Sequence, residues 1–248
     1  KTSFVPTMGA LHEGHLSLIR HAADLGELVV VSILVNPTQF NDAQDFQSYP
    51  RTLESDAAMA QSAGAHAVFA PQPKDLYGGK PSADRVDWGN LTNAFEGAHR
   101  PGHFDGVVAV VDLLFEAVKP GFAVFGEKDL QQVAVVKRLA RERHPRLEVV
   151  VGALVRDANG LALSSRNARL NAQGLELALS LSRALSHVKQ GWGAGQPLSE
   201  ALSEARATLE ATEGVTLEYL DAVNGTSFES HEEEGAAPTH VVVAAHVQ

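Results

Sequence analysis

Two histidines and two glycines stand together near the start of the chain, in the segment PTMGALHEGH at residues 6–15. The segment lies between a β-like run at residues 3–5 and a helix-like run at residues 16–19. Glycine lets a backbone approach a ligand closely, and the start of a helix offers N–H groups to phosphate. His12 and His15 are three residues apart, so they project from one side of the first helical turn. This pattern predicts an anion-binding site; the alternative is that both histidines lie on an exposed helix start.

The segment NPTQF at residues 36–40 follows the most apolar run of the chain. The amide of Gln39 both donates and accepts hydrogen bonds, which suits recognition of a hydroxyl or a carboxylate. We therefore predict a ligand contact at Gln39; the alternative is an ordinary Asn-Pro turn.

A third segment, GEKD at residues 126–129, follows a strand-like run at residues 122–125. Lys128 can neutralise a phosphate, and Asp129 can hold a ribose hydroxyl or Mg²⁺. A phosphate loop of the type GxxxxGK[ST] is rejected, because the residues after Gly121 form an apolar strand and Asp129 replaces the hydroxyl. The alternative for residues 128 and 129 is a charge pair that caps a helix.

The segment LSSRN at residues 163–167 places two hydroxyls beside an arginine. Arginine offers a forked cation and serine offers short donors, so the segment predicts a polyphosphate clamp. The alternative is helix capping, which serine and asparagine also suit. A further loop, RPGHF at residues 100–104, adds cationic groups. His99 and His103 are candidate ligands there; the alternative is that these loop histidines face solvent.

The elements that must position these segments alternate along the first part of the chain. Alternation of this kind predicts a parallel sheet covered by helices on both faces, and such sheets bind ligands at the carboxyl ends of their strands. The stretch 71–103 is rich in Gly, Pro and Asp and is expected to be an excursion over that edge. The expected strands are residues 3–5, 28–35, 66–70, 122–125 and 147–151, and the expected helices are residues 15–24, 53–63, 106–118 and 130–143.

The order of elements changes after residue 151. A hairpin-like turn at 157–160 is followed by two helices, a strand, an acidic loop and a last strand. We therefore predict an α/β protein with two domains: a Rossmann-like doubly wound parallel sheet over residues 1–152, and a smaller α+β domain over residues 153–248. The expected later elements are helices at 171–190 and 198–213, strands at 216–222 and 240–245, and the acidic loop at 231–234.

Composition limits the classes of function. The chain has 248 residues, of which 44% are hydrophobic, and a formal net charge of −10. No long basic block is present, so a nucleic-acid partner is not expected, although a local cationic cluster can still bind an anionic substrate. The absence of cysteine excludes disulfides, thiolate metal sites and thiol nucleophiles, and favours the cytosol.

No apolar run has the length of a membrane span and no signal peptide is visible, so a membrane partner is not expected and the predicted location is cytoplasmic. The chain enters a strand almost directly after Lys1, and we therefore expect further residues upstream of it.

In six ordered motifs the chain resembles the pantoate–β-alanine ligase family, the pantothenate synthetases. The motifs are PTMGALHEGH, VNPTQF, YPRT, RPGHFDGV, FGEKDLQQ and LSSRN, and they run from Pro6 to Asn167. HEGH is also similar to the H-x-G-H signature of the wider nucleotidyltransferase superfamily, which includes class I aminoacyl-tRNA synthetases. Members of the ligase family normally carry a longer N-terminal segment and continue past the last strand, and in both respects this chain departs from them.

The resemblance implies an ATP-dependent ligase of pantothenate (vitamin B5 and coenzyme A) biosynthesis. The carboxylate of (R)-pantoate attacks the α-phosphorus of ATP, which carries Mg²⁺, and pantoyl adenylate and pyrophosphate form. The amine of β-alanine then attacks the adenylate and releases pantothenate and AMP. The resemblance also implies a homodimer formed through the first domain.

The resemblance further implies roles for individual residues. His12 and His15 hold the ATP phosphates, with His15 as proton donor, and Gln39 and Gln132 bind pantoate, Gln39 also lying near β-alanine. The implied catalytic residues are His15, His12, Lys128, Ser164, Ser165 and Arg166. The implied nucleotide-binding residues are Met8, Gly9, Ala10, Leu11, His12, Glu13, Gly14, His15, Gly126, Glu127, Lys128, Asp129, Val155, Leu163, Ser164, Ser165 and Arg166.

We expect no resident metal site built from protein side chains, since Mg²⁺ arrives with the nucleotide; Asp56 and Asp129 are candidates for a direct contact to it. Three other functions stay open. An adenylyltransferase of the same superfamily would transfer AMP onto a phosphate and would not need Gln39 and Gln132. A regulatory nucleotide-binding module would tolerate loss of the histidines. A zinc hydrolase is remoter, because H-x-x-H is not the H-E-x-x-H spacing of zinc peptidases.

Overall fold

The computed structural model describes residues 1–231 and 237–248, so most of the expected acidic loop at 231–234 lies outside the described residues. Contacts between residues divide the chain into two compact units, Lys1–Val155 and Arg156–Gln248. The boundary expected after residue 152 lies just inside the first of these units. Among the described residues, no helix is both long enough and apolar enough to cross a membrane.

The first unit is built on one parallel sheet with the strand order β3-β2-β1-β4-β5. All four neighbouring pairs of strands are parallel, as the alternation of strands and helices predicts. Along the chain, β1, β2 and β3 follow one another from the centre of the sheet to one edge, and β4 and β5 from the centre to the other edge. The five strands are β1 (Thr2–Thr7), β2 (Leu28–Ile33), β3 (Ala67–Phe69), β4 (Phe122–Gly126) and β5 (Glu148–Gly152).

Four long helices and several short ones connect these strands. Each expected helix is present within a few residues of its expected bounds, and three further short helices lie in the excursion between residues 71 and 103. The helices of this unit are α1 (Glu13–Leu25), α2 (Ala43–Ser48), α3 (Leu53–Ser62), α4 (Pro73–Leu76), α5 (Asn90–Asn93), α6 (Glu96–His99), α7 (His103–Val118) and α8 (Leu130–Arg143), with single 3₁₀ turns at Pro37–Gln39 and Glu127–Asp129.

Both faces of the sheet are covered by helices. Successive side chains of a strand point to opposite faces, so neighbouring apolar residues of one strand pack against helices on different sides. On one face Val5 belongs to a buried cluster that includes Ile19 of α1 and Ala60 of α3. On the other face the ring of Phe4 meets Phe115 of α7 edge to face, with ring centroids 6.3 Å apart. Full burial of one such side chain stabilises the fold by about 1.5–3 kcal/mol. The Rossmann-like, doubly wound prediction is thereby confirmed.

The second unit is a two-stranded antiparallel sheet packed against two helices. Its core includes Val188, Leu209 and Leu220, all almost completely buried. The order of two helices followed by two strands agrees with the predicted smaller α+β domain. The elements are α9 (Ala172–Gly193), α10 (Leu198–Glu210), β6 (Val215–Val223) and β7 (His240–Val247), with a β-bulge between Leu217 and Tyr219.

Candidate active site

The site lies where the strand order changes direction. β1 and β4 are neighbours at the centre of the sheet, and the chain leaves them toward opposite edges. In open α/β sheets this arrangement creates a crevice at the carboxyl ends of the strands, where ligands bind. The segment 8–15 follows β1, the segment 126–129 ends β4, and Gln39 follows β2. The structure therefore brings three of the segments singled out in the sequence to one edge of one sheet.

In the turn after β1, three backbone amides donate hydrogen bonds to side chains of the protein itself. Gly9 and Ala10 both have positive φ, +82° and +50°. The amide of Gly9 donates to the hydroxyl of Thr7 (3.2 Å). The amides of Ala10 and Leu11 donate to the two carboxylate oxygens of Asp56, at 2.9 and 2.8 Å. These three donors are thus already engaged without a ligand.

His12 and His15 cap the first turn of α1 with their own rings. Nδ1 of His12 accepts from the amide of Gly14 (3.2 Å), and Nδ1 of His15 accepts from the amide of His12 (3.3 Å). Because Nδ1 accepts in each neutral ring, the ring hydrogen is on Nε2. The amides of residues 12 and 14 therefore already have partners within this turn, and the expectation that helix amides bind phosphate stays a prediction. This turn also offers the two Nε2–H groups as donors, on rings whose centroids are 4.1 Å apart.

Both imidazoles are neutral at pH 7. The pKa of His15 is lowered to about 3, chiefly by burial; the neighbouring His12 and the cation of Lys128 also lower it, whereas Asp129 raises it. Burial, followed by Lys128, also lowers the pKa of His12. The ammonium of Lys128 thus acts electrostatically on both rings, which links the turn after β4 to the turn after β1.

We expect His15 to remain neutral and protonated on Nε2 between about pH 5 and 8, and His12 to titrate below the value near 6.5 of a histidine in a short peptide. Two-bond ¹⁵N–¹H correlation spectra of the imidazoles at several pH values report both the tautomer and the titration. Because the folded pKa of His15 is below the unfolded value, the unfolded chain takes up the proton first, so stability is lost as the pH falls from about 6.5 toward 3. An Nδ1–H tautomer, or titration of His15 above pH 6, would contradict this assignment.

The turn after β4 presents one cation and one carboxylate. Nζ of Lys128 lies 3.2 Å from Oδ1 of Asp129, and the two side chains are 38% and 60% exposed. Asp129 stands at the N-cap position of α8 but makes no side-chain capping hydrogen bond there. The charge pair of the alternative interpretation therefore exists without capping the helix, and Lys128 remains accessible to an anion.

Gln39 is buried, and both its side-chain amide and its backbone oxygen make hydrogen bonds. Its side-chain nitrogen donates to the sulfur of Met8 (3.3 Å), and its side-chain oxygen accepts from Asn36 (3.2 Å). Its backbone oxygen accepts from Nδ1 of His103 (2.8 Å) and from the guanidinium of Arg100 (3.3 Å). Burial lowers the pKa of His103 to about 4, which keeps this ring neutral. The loop at 100–104 thus holds the backbone of Gln39 in place through two hydrogen bonds.

A second support of Gln39 comes from the first turns of α7. The side chain of Asn36 donates to the backbone oxygen of Gly106 (3.3 Å). A Cβ atom on Gly106 would lie 2.3 Å from the backbone oxygen of Thr38, so the two backbones are in direct contact. The hydroxyl of Tyr77 donates to Asn36 (3.1 Å) and bonds to the Thr38 hydroxyl (3.1 Å). Sequence reasoning missed Tyr77, which lies in none of the six motifs, and it missed the role of Gly106, whose motif RPGHFDGV gives no sign of a contact with residues 36–39.

The two consecutive glutamines at the start of α8 have different environments. Gln131 is buried and holds the excursion, accepting from the amide of Glu96 (3.0 Å) and donating to the backbone oxygens of Leu91 (3.2 Å) and Ala94 (2.9 Å). Gln132 is half-buried on the same turn. Gln131 therefore has a structural role, and Gln132 is the glutamine to consider for ligand binding.

The remaining residues singled out in the sequence lie elsewhere along the chain. Val155 is half-buried and ends the first unit, whereas Leu163–Arg166 belongs to the second unit. There the hydroxyl of Ser164 accepts from the amide of Arg166 (3.3 Å), a local turn. Helix α9 is capped by the side chain of Asn171 instead (2.8 Å to the amide of Gly174), so the serines do not cap it.

Within residues 1–231 and 237–248, no group of three or more His, Cys, Asp or Glu side chains is placed to hold a metal ion. Asp56 does not fit as a ligand of Mg²⁺, because both its oxygens accept from backbone amides and the residue is 1% exposed. That expectation is corrected. Asp129, with its exposed carboxylate, still fits the chemistry of Mg²⁺, which prefers oxygen ligands.

Comparison with known proteins gives one consistent family. A family model described as pantoate-beta-alanine ligase matches residues 1–248. A pantothenate synthetase of Bacteroides fragilis is 44% identical over 229 residues, which are 92% of this chain and 80% of the relative.

Solved structures agree with this result. A pantothenate synthetase from Thermus thermophilus superposes with a TM-score of 0.93 at 41% identity, covering 99% of this chain and 89% of the other. A pantoate-beta-alanine ligase from Francisella tularensis, complexed with beta-gamma ATP and beta-alanine, has a TM-score of 0.80 at 34% identity, covering 100% and 85%.

Proposed function

Because the chain belongs to the pantoate-β-alanine ligase family, we propose that the crevice between β1 and β4 is the place where it binds ATP and activates pantoate. The reaction is the ATP-dependent ligation of pantoate and β-alanine to pantothenate. The observation that carries the proposed location is the topology: the turn with His12 and His15 follows β1 and the turn with Lys128 follows β4, and these neighbouring strands end at the switch point of the sheet. The effect of Lys128 on the pKa of both histidines agrees with this placement.

The proposed chemistry has two steps. An oxygen of the pantoate carboxylate forms a bond to the α-phosphorus, and the bond from this phosphorus to the bridging oxygen breaks, its electron pair leaving with pyrophosphate. The amine of β-alanine then bonds to the acyl carbon and loses a proton, while the carbon–oxygen bond breaks and AMP leaves with the electron pair. The first step needs alignment and stabilisation of charge on phosphate oxygens more than it needs covalent help from the protein.

We propose that His12 and His15 stabilise that charge as neutral hydrogen-bond donors. Their Nδ1 atoms are occupied by backbone amides, so each ring offers Nε2–H. A neutral imidazole acts as an electrophile in this way without giving up its proton. Pyrophosphate leaves as a stable anion, so the departing oxygen does not require a proton from His15. Lys128 adds a full positive charge beside the same phosphates.

We propose that Gln39 and Gln132 bind pantoate, with Gln39 also near β-alanine. The buried amide of Gln39, fixed through Asn36 and Met8, supports this role, because a tethered amide orients a ligand at a low cost in entropy. Gln132 stands on the first turn of α8, at the carboxyl end of β4.

The nucleotide-binding set is proposed as a whole from the motifs: Met8, Gly9, Ala10, Leu11, His12, Glu13, Gly14, His15, Gly126, Glu127, Lys128, Asp129 and Val155. The turn at 9–11 would contribute shape more than donors, because its amides are engaged. For Leu163, Ser164, Ser165 and Arg166 we propose binding of the β- and γ-phosphates, on the basis of their hydroxyl and guanidinium chemistry. We also propose that residues 1–152 bind nucleotide and pantoate and that 153–248 form a smaller accessory domain.

Mg²⁺ is proposed to enter with the nucleotide, where it would neutralise phosphate charge; Asp129 is the carboxylate we would assign to it. We further propose that the enzyme is cytoplasmic and forms a homodimer through its first unit. The cysteine-free composition supports the location.

The function is tested by incubating the protein with ATP, MgCl₂, pantoate and β-alanine and measuring AMP and pantothenate. We expect both products in equal amounts, and none when pantoate is left out. An adenylyltransferase would instead consume ATP with 4′-phosphopantetheine or nicotinamide mononucleotide and release pyrophosphate without AMP. ATP consumption with either of these substrates and none with pantoate would overturn the assignment.

A further inference from the structure

Asp56 is a carboxylate buried in an apolar face of α3. It is 1% exposed, and one helical turn further on lies the fully buried Ala60. Burial of an ionised carboxylate is unfavourable unless hydrogen-bond donors surround it. Three donors do so here: the amides of Ala10 (2.9 Å) and Leu11 (2.8 Å) and the hydroxyl of Thr52 (3.1 Å). Two of the three belong to the turn that precedes the histidines.

That turn has a conformation that the chain would not adopt by itself. Gly9 and Ala10 have φ values of +82° and +50°, and for alanine a left-handed conformation is unfavourable. The consecutive amides of Ala10 and Leu11 point at one carboxylate, and successive backbone N–H groups of a turn form a pocket for an anion in this way. The carboxylate of Asp56 fills this pocket so closely that a Cβ on Gly9 would lie 2.9 Å from its Oδ2.

On the basis of the function proposed above, we infer that Asp56 is a positioning residue for adenylate formation. Its carboxylate takes the place of an anion at the amides of Ala10 and Leu11 and thereby fixes the turn from which α1 starts. Because His12 follows Leu11 directly and caps α1, fixing this turn also fixes the direction of both imidazoles. Asp56 acts through the backbone and touches neither substrate nor metal.

The isosteric variant Asp56→Asn tests this role. The amide of asparagine has one acceptor, so either Ala10 or Leu11 loses its partner and meets an N–H₂ group. We expect adenylate formation, measured as pantoate-dependent exchange of pyrophosphate into ATP, to fall about 10²-fold, the effect of a misplacement near 1 Å. The loss should appear in kcat more than in the KM for pantoate, because Gln39 and its supports are unchanged.

The second half-reaction distinguishes positioning from loss of fold. When pantoyl adenylate is supplied, aminolysis by β-alanine involves no departing pyrophosphate. The fold-loss of the aminolysis rate in Asp56→Asn should therefore be about ten times smaller than the fold-loss of adenylate formation. Equal losses in both half-reactions would overturn the inference. Hydrogen exchange of the amides at 10 and 11 should also accelerate in the variant, a readout that does not depend on activity and stays valid if the proposed function fails.

Three comparisons complete the test. Glu54→Gln, an exposed change on the same helix, should leave both half-reactions unaltered. Thr52→Val removes only the side-chain donor and should produce the same selective loss, but smaller, which keeps the inference testable if Asp56→Asn does not fold. Recovery of Asp56→Asn by raised Mg²⁺ or Mn²⁺ would overturn the inference, because it would make Asp56 a metal ligand.

Discussion

His15→Ala should lower the rate of pantoyl-adenylate formation by at least about 10²-fold, the scale of removing one donor from developing charge. The Nε2–H of His15 is fixed by the bond from the amide of His12 to Nδ1 (3.3 Å), so its loss removes both a ligand donor and part of the helix cap. The measurement is pyrophosphate exchange at saturating ATP and pantoate. The melting temperature should be recorded as well, because a lost cap costs about 0.5–2 kcal/mol of stability.

Two variants serve as controls for His15→Ala. His21→Ala removes a histidine from the same helix, two turns away from the site, and should leave the rate within about twofold, as is usual for substitutions away from such features. His15→Gln should restore part of the rate, since its amide nitrogen can donate where Nε2 did. If His15→Ala formed adenylate as fast as the parent protein, the role proposed for this ring would be wrong.

Lys128→Ala should also lower adenylate formation by at least about 10²-fold, because a full charge near the transferred phosphorus is lost. Lys128 is accessible, pairs with Asp129 at 3.2 Å, and lowers the pKa of both His12 and His15. Its removal should therefore raise the pKa of both histidines, and the same ¹⁵N–¹H spectra measure that shift. A kinetic loss and a spectroscopic shift are thus expected from one substitution.

Lys137→Ala is the matched control for Lys128→Ala. Lys137 is an exposed lysine on α8, the helix that follows Lys128, so the net charge changes equally while the site stays intact. We expect parent-like exchange rates from this control. Equal loss in the two variants would indicate a general effect of charge on the binding of ATP, and the specific role of Lys128 would be refuted.

Much of the fold follows from the sequence because its long elements have clear periods. The strands of the first unit and helices α1, α3, α7 and α8 were predicted within a few residues. The short helices α2 and α4 to α6 were not, since one or two turns of helix carry no periodicity that differs from a loop. Their positions are decided by tertiary contacts such as those of Gln131 with Leu91 and Ala94.

The sequence predicts that the site segments lie close together, but it does not predict the hydrogen bonds within the site. Segments after parallel strands meet at one edge, so His12, Lys128 and Gln39 were expected to approach each other. The engagement of the turn amides by Asp56 depends on a contact across 45 positions of sequence. One signal was available: Asp56 stands in phase with Ala60 and Ala63, a charged residue in an apolar stripe. A charged residue in such a stripe predicts buried hydrogen-bond donors around it.

The backbone contact between Gly106 and Thr38 limits how this enzyme can be given new substrates. A side chain at position 106 would meet the oxygen of Thr38 at 2.3 Å, so a substitution of this glycine would push the first turn of α7 away from residues 38 and 39. A mutant library aimed at acids longer or shorter than pantoate should therefore leave this glycine alone. Diversity belongs at Gln132, which is partly exposed and is not one of the groups that hold Gln39.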